Sequence, residues 1–248
     1  MNQIPPIEII DRRTVLNWSQ VEGSGLVIDK PLGLTSHDVV ARVRRRSAIK
    51  RAGHSGTLDP LATGVLIILV GRSATKHQQW FMDLPKIYQA EITFGATSTT
   101  DDAEGVLTQV TESQQLQLLT ASQVAAVLPR FIGTILQRPP IYAAIKSGGQ
   151  PLYKRARAGT ITAEEVPVRT VTIDSITMDH WQPADDDHPW PRCQITVTCH
   201  KGTYIRSLVR DIGQAVGTGA YMSGLVRLQL GDYHQRSAFQ LSDIIQTL

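Results

Sequence analysis

The sequence predicts an α/β chain, and three observations carry that expectation. Val65 to Val70 is a continuous aliphatic run closed off by Gly64 and Gly71, the pattern of a strand buried on both faces. Ile87 to Gly95 and Cys193 to Cys199 alternate apolar and polar residues, the period of a half-buried strand. Elsewhere in the chain, Ile205, Leu208, Val209, Ile212 and Val216 recur at helical spacing, and Thr35 with Asp38 and Thr120 with Gln123 have the form of capping boxes.

Taken in order, residues 1–23 mix Pro5 and Pro6 with polar residues and read as an irregular N-terminal arm, leaving 24–248 as one domain. Gly25 to Pro31 reads as a short buried strand ended by Pro31 and Gly33. A helix capped by Thr35 follows, with Val39, Val40 and Val43 as its apolar stripe and its arginines largely off that stripe. After Val65–Val70, the alternation from Ile87 puts Tyr88, Ala90, Ile92 and Phe94 on one face, where Tyr88 by itself reads as core. Thr99 to Gly105 is an acidic loop without the calcium-ligand pattern and reads as a turn. A helix from Thr120 stops near Pro129. Val166 to Met178 is strand-like, and the acidic stretch Asp179 to Pro191 reads as a loop insertion. Thr203 is placed to cap the helix that starts near Ile205 and ends at Gly217. An extended piece from Leu225 to Leu230 and a short helix over Leu241 to Leu248 complete the chain.

The totals narrow the function classes. At 248 residues with 42% apolar and 19% charged residues, the composition is that of a folded globular chain. Its longest apolar run is far too short to cross a bilayer, and Met1 to Asp11 lacks the features of a signal peptide, so the expected compartment is cytoplasmic. Cys193 and Cys199 share a strand face about 20 Å apart, too far for a disulfide. They are expected to be reduced packing residues. Net charge is only +3, but Arg42, Arg44, Arg45, Arg46, Lys50 and Arg51 fall within ten residues, which points to a phosphate-rich partner. Lys146, Lys154, Arg155 and Arg157, interleaved with Tyr142 and Tyr153, form a second basic and aromatic cluster of the kind that contacts RNA backbone and bases.

The chemistry centres on Gly53-His54-Ser55-Gly56-Thr57-Leu58-Asp59-Pro60-Leu61-Ala62-Thr63-Gly64. Pro60 biases Asp59 toward an extended backbone, and the glycines permit turns that other residues resist. Leu58 and Leu61 are expected to pack inward around the carboxylate. Taken alone, an Asp beside Gly and Pro reads as a cap or turn residue. A nucleophilic Asp59 would need a cation from elsewhere in the chain to stay ionised in apolar surroundings. His54, Ser55 and Asp59 have the residue types of a hydrolase triad, but there is no nucleophile elbow and triad members are seldom so crowded in sequence. No phosphate-binding loop, dinucleotide fingerprint or His-Glu-x-x-His occurs, so no metal or organic cofactor is expected.

These residues carry a resemblance to the TruB-type tRNA pseudouridine synthases. It rests on Asp29-Lys30-Pro31-Leu32-Gly33-Leu34-Thr35-Ser36, the loop from His54 to Gly64, Lys86-Ile87-Tyr88, Arg138-Pro139-Pro140 through Lys146, Leu152-Tyr153 with Arg157 and Gly159, and Lys201-Gly202-Thr203-Tyr204-Ile205-Arg206. The match runs in order from about Gly25 to the C-terminus. It implies a largely antiparallel mixed sheet flanked by helices, and isomerisation of the uridine at position 55 in the tRNA T loop, flipped out of its stack. By the resemblance Asp59 is the nucleophile, acting on the base or on the ribose, Arg206 is its cationic partner, and Tyr88 stacks on the target base and serves in the final proton removal. Tyr204 and Leu225 line the uridine pocket, His54 contacts RNA beside the extruded base, and Lys30 and Lys146 belong with the substrate-binding residues. The resemblance implies tRNA as the partner, with neither a membrane nor an obligatory protein partner. Bacterial members usually continue into a small RNA-binding PUA domain, which is expected to be absent here. A guide-RNA-dependent subunit, a tRNA-binding module with a vestigial site, and a hydrolase using Ser55 are the alternatives.

Overall fold

The computed structural model describes residues 5–143, 145–147 and 150–245. Its chain divides into two units, Met1–Tyr88 with Leu225–Leu248, and Gln89–Gly224.

The first unit opens with β1 (Ile9–Ile10) and β2 (Gly25–Lys30), then α1 (Ser36–Ser47), β3 (Ala52–His54), β4 (Ala62–Val70), α2 (Arg72–Thr75) and α3 (Gln78–Asp83). β5 (Lys86–Phe94) leads from this unit into the next. The arm is less irregular than its sequence suggests. Ile9 and Ile10 add a parallel strand beside Gly25 and Leu26, and a 3-10 turn at Trp18–Gln20 brings the Trp18 ring under the Arg46 guanidinium, 5.0 Å from the ring centre. α1 begins as expected: Thr35 Oγ1 accepts the Asp38 N–H while the Asp38 carboxylate accepts the Thr35 N–H, a reciprocal capping box.

β4 explains the unbroken aliphatic run. Val65, Ile67 and Leu69 face a cluster with Val27, Ala74, Phe81, Leu230 and Ala238, while Leu66, Ile68 and Val70 are fully buried as well. With both faces covered, alternation has no purpose. Along one edge β4 pairs antiparallel with β2; along the other it pairs parallel with the far end of the chain near its start, Ala62 opposite Leu225, and antiparallel with β3 near its end, His54 opposite Ile68.

The second unit continues with β6 (Ala96–Ser98), β7 (Leu107–Gln109), α4 (Ser113–Gln117), α5 (Ala121–Val127), β8 (Gly133–Gln137), β9 (Lys146–Ser147), β10 (Gln150–Pro151), α6 (Leu152–Arg157), β11 (Arg169–Gln182), β12 (Arg192–Cys199) and α7 (Ile205–Val216). Then β13 (Ala220–Leu230) runs back into the first unit, followed by β14 (Tyr233–His234), β15 (Phe239–Gln240) and α8 (Leu241–Ile245). The terminal helix is therefore described through Ile245, and 246–248 lie outside the described residues. Among the described pairings only β1 with β2, β15 with β2, and β13 with β4 are parallel strand pairs, so the sheet is largely antiparallel as expected.

Two expectations in this unit need correction. β11 runs on through Asp179 to Gln182 because its edge is paired with β12 and Asp179 accepts the Thr196 hydroxyl at 2.6 Å. The irregular part is thus shorter, and it folds back: Pro191 O accepts the Phe94 N–H and Trp190 packs edge-on to Tyr221. Thr203 does not cap α7. Tyr204 is the capping position, without a side-chain cap bond, and Thr203 Oγ1 is buried without a partner. Cys193 and Cys199 are buried and are not joined in a disulfide. No helix among the described residues is long and apolar enough to cross a membrane.

Gly64 carries a hard constraint. Its φ is +104°, and a Cβ there would lie 2.3 Å from the Arg227 carbonyl oxygen across the β4–β13 pairing. Gly64→Ala is therefore expected to destabilise the protein by about 3 kcal/mol or more, from left-handed strain and backbone overlap together. Urea unfolding of the variant against wild type measures it.

Candidate active site around Asp59

The loop from His54 to Ala62 is fixed from four directions within the first unit. Ser36, the first residue of α1, makes a reciprocal pair with Leu58: its Oγ accepts the Leu58 N–H at 2.8 Å and donates to the Leu58 carbonyl at 3.1 Å. Pro60 O accepts the Gly33 N–H at 2.9 Å. Arg227 donates from Nε to Val65 O at 2.6 Å and from Nη2 to Gly56 O at 3.3 Å. Ser55 Oγ accepts the Ile67 N–H at 3.1 Å. Leu58 is buried at 3% exposure, so the loop has an apolar underside, and Asp59 stands half-buried between two tethered neighbours.

Lys30 belongs to this scaffold. It is fully buried, and its ammonium donates to Leu34 O at 2.6 Å, Pro31 O at 2.9 Å and Pro60 O at 3.4 Å. The structure thus sets Lys30 beneath the loop, holding backbone carbonyls, and not on the surface expected of a substrate contact. Ser55 is likewise fully buried with its hydroxyl engaged by the backbone. A hydrolase reading that uses Ser55 has no exposed nucleophile.

His54 ends β3 half-buried, its Nδ1 accepting the Gly56 N–H at 3.3 Å and its ring edge-on to His37 at 6.1 Å. Desolvation, with the nearby His37 and Arg227, pushes its pKa below the ordinary histidine value. Leu225, buried in β13, sits opposite Ala62 at the loop's exit, and Tyr88 is buried in β5.

In the second unit, Arg206 lies in the first turn of α7 and is 7% exposed. Its Nη1 donates to Thr100 O at 3.0 Å and lies 3.4 Å from Asp102 Oδ2. Asp102, 2% exposed, has its other oxygen satisfied by the Thr100 hydroxyl at 2.5 Å and the Glu104 N–H at 3.1 Å. The acidic loop is therefore a turn, but one that carries the carboxylate facing Arg206. One helical turn on, Arg210 repeats the arrangement, donating to Asp101 Oδ2 at 2.9 Å, to Asp211 and to the Arg138 carbonyl. Burial raises the pKa of Asp101, opposed by the charges of Arg210 and Arg206. Asp101 also holds a left-handed backbone at φ 62°, fixed by the Met222 N–H on its carbonyl.

Tyr204 exchanges two hydrogen bonds with the side chain of Gln137, which is buried, and its ring packs on the cluster of Ala143, Leu152, Ile161 and Val166. Gln137, Asp101, Asp102 and Arg210 are the residues that sequence reasoning missed. The available signal was the four-residue spacing of Arg206 and Arg210 beside the adjacent pair Asp101-Asp102. For Lys146, Tyr153 and Arg157, the side chains lie outside the described residues; Arg155 donates to Thr160 O and Lys154 is exposed.

Within each unit, then, the structure brings Asp59, His54, Lys30 and Leu225 around one loop, and Arg206 with Tyr204 at the start of one helix. Comparison with known proteins gives the family of the chain. Residues 44–205 match the family model described as TruB family pseudouridylate synthase, N terminal domain, and 206–248 match that of the tRNA pseudouridylate synthase B C-terminal domain. The chain belongs to the TruB family of pseudouridylate synthases. Among curated TruB relatives, tRNA pseudouridine synthase B of Cupriavidus metallidurans is 44% identical over 219 residues, covering 88% of this chain and 66% of that protein. The Synechocystis sp. protein of the same name is 48% identical over 206 residues, covering 83% and 66%. That of Xylella fastidiosa is 41% identical over 233 residues, covering 94% and 72%. The chain thus spans about two thirds of the length of these relatives. Among solved structures, a Cbf5–Nop10–Gar1 complex aligns with a TM-score of 0.68 at 25% identity, over 98% of this chain and 60% of that one. The Nop10–Cbf5 complex of an archaeal box H/ACA ribonucleoprotein aligns at 0.62 and 25%, over 91% and 53%.

Two measurements test this geometry. Asp102→Asn removes a buried carboxylate charge 3.4 Å from the buried Arg206 and is expected to lower the unfolding free energy by about 3 kcal/mol, read by urea denaturation. His54 has a folded-state pKa below its unfolded value of about 6.5, so the unfolded chain takes up a proton first as pH falls. Its contribution to stability is complete above that value and is lost as pH falls through it toward the folded-state pKa. Wild type is expected to lose more unfolding free energy than His54→Gln between pH 7 and about 5.5.

Proposed function

We propose that this chain isomerises uridine to pseudouridine at position 55 in the T loop of tRNA, with Asp59 as the nucleophile. The observation that carries the reading is the tethering of the loop: Leu58 and Pro60 are each tied through their backbone, which leaves the half-buried Asp59 carboxylate as the group presented by a rigid frame. Nucleophilic catalysis profits from such fixed placement, because the reacting oxygen need not be ordered at the moment of attack. Relatives named tRNA pseudouridine synthase B, 41–48% identical to this chain, supply the substrate class.

In the proposed reaction the bond between ribose C1′ and uracil N1 breaks, the base turns, and C1′ joins C5. C5 gives up its proton to solvent and the freed N1 takes one up, so no oxidant, reductant or group donor enters the balance. Asp59 forms a transient adduct with the base or the ribose, and Arg206 serves as its cationic partner. Tyr88 stacks on the flipped base and relays the C5 proton to solvent. Tyr204 and Leu225 line the uridine pocket, and His54, neutral by its lowered pKa, contacts RNA next to the extruded nucleotide. Turning the base out of its stack costs a few kcal/mol, which stacking on Tyr88 and apolar contact with Leu225 offset.

The likeness to Cbf5 complexes favours a second reading, a catalytic subunit that works within a ribonucleoprotein. The higher identity to the tRNA pseudouridine synthase B proteins sets it second.

The test is tritium release from an unmodified tRNA transcript labelled at uridine C5, with the modified position mapped. Wild type alone is expected to release tritium from the T loop, and Asp59→Ala to lose about a thousandfold or more in rate. Asp59→Asn is expected to bind the transcript nearly as wild type does. Release only after adding a guide RNA and protein partners would establish the second reading, and tight binding without release under either condition would overturn catalysis.

A further inference from the structure

Next to the Asp59 loop, and wholly within the first unit, lies a hollow of about 340 Å³ lined by Arg44, Lys50, Arg51, Ala52, Gly53, Thr75 and Gln78. Three of these residues are cationic and none is acidic. Two of the cations are held in place. Arg44 donates from Nη2 to Ala52 O at 2.6 Å, and Arg51 from Nε to Thr75 Oγ1 at 3.1 Å. Arg44 Nε is buried without a hydrogen-bond partner among the described residues, so the guanidinium keeps donor capacity that its own bond to Ala52 does not use.

The floor of the hollow is β3, whose last residue is His54. Gln78 ties the two together, its Nε2 donating to the His54 carbonyl at 2.9 Å. A group seated in the hollow is therefore one strand residue from the histidine and fixed relative to the start of the Asp59 loop. Gly53 adds no side chain to the floor: a Cβ there would come 3.4 Å from Gln78 Oε1 and 3.7 Å from Thr75 Cγ2. The basic block of α1 is thus not one uniform solvated face. Arg46 is spent on Trp18, Arg42 and Arg45 are exposed on the helix, and Arg44, Lys50 and Arg51 converge on the hollow.

We propose that this hollow seats one backbone phosphate of the RNA substrate, so that its arginines and lysine set the position of the strand leading to the flipped nucleotide. Guanidinium groups fixed by their own hydrogen bonds match phosphate oxygens in geometry and charge, and lose little freedom on binding. The identity of the ligand as RNA rests on the function proposed above; the hollow, its three cations and its unpartnered donor do not.

The experiment measures the dissociation constant of the tRNA transcript against salt for wild type, for Lys50→Gln/Arg51→Gln, and for the exposed pair Arg42→Gln/Arg45→Gln. A seated phosphate predicts that Lys50→Gln/Arg51→Gln lowers the slope of log affinity against log salt by about 1 and weakens binding several-fold. A scan of single neutral methylphosphonates through the T stem-loop should then find one position whose neutralisation weakens wild type by a similar factor and leaves Lys50→Gln/Arg51→Gln unaffected, while Arg42→Gln/Arg45→Gln still responds to it. No such position, with equal slope changes in the two double variants, would replace the seat by a diffuse basic face and overturn it. An unchanged slope in Lys50→Gln/Arg51→Gln alongside normal tritium release by wild type would overturn the seat alone. Absence of both salt-dependent binding and release in wild type would sink the seat and the proposed function together.

Discussion

Lys30 and Arg227, two cations shut away from water, hold the Asp59 loop to the sheet by donating to backbone carbonyls at Leu34, Pro60, Val65 and Gly56. A buried charge is costly unless its donors are satisfied, and a loop carbonyl turned inward is costly unless it is accepted. Each problem solves the other. The outcome is a loop whose conformation is set by a few irreplaceable bonds and not by a broad apolar contact. Gly64 shows how tight the arrangement is, for the same Arg227 whose side chain braces the loop lets its backbone come within reach of any Cβ placed there. Loop, strand β4 and strand β13 must be correct together.

The second unit follows the same rule with opposite charges. α7 has the apolar stripe expected of it, but Arg206 and Ser207, on its other side, are buried as well. A helix covered on both sides has to find partners for whatever polar groups it carries. The 99–105 turn supplies them for the two arginines, with Asp102 and Thr100 on Arg206 and Asp101 on Arg210, while the buried Ser207 hydroxyl has no hydrogen-bond partner among the described residues. Pairing of the turn with Met222 of β13 on either side of Asp102 holds that carboxylate in place.

What the sequence made legible was local or periodic. The α1 capping box, the buried run of β4, the alternation of β5 and the stripe of α7 each depend on residues within one element, so their spacing declares them. The importance of the Asp59 loop was legible through its motif, but its bracing was not: Ser36, Gly33, Lys30 and Arg227 reach it from elsewhere in the chain, and nothing local marks them as its partners. The resemblance alone places Lys30 with the substrate-binding residues, and nothing in its local sequence declares that it is buried against the carbonyls of Leu34, Pro31 and Pro60. Thr203 looked like a cap because Ser and Thr commonly are, but its hydroxyl is turned inward and Tyr204 takes the capping position. The acidic turn looked like solvent-exposed punctuation, since its demand for two arginines is set more than 100 residues later.

The bond from Arg227 to Gly56 joins residues 171 apart, and that to Val65 joins residues 162 apart. A ribosome adding about 5–20 residues each second delivers Arg227 roughly 10–30 s after Gly56 has emerged. Throughout that interval the nascent chain carries the entire Asp59 motif without the strand that closes it, and β4 has one edge waiting for β13. Assembly of this loop is accordingly a late event in the life of the chain, tied to completion of β13. High contact order of this kind slows folding and leaves the start of β4 open along one edge to capture by other chains. The long-range closure that makes the loop rigid in the folded protein is thus the step most exposed to failure during synthesis.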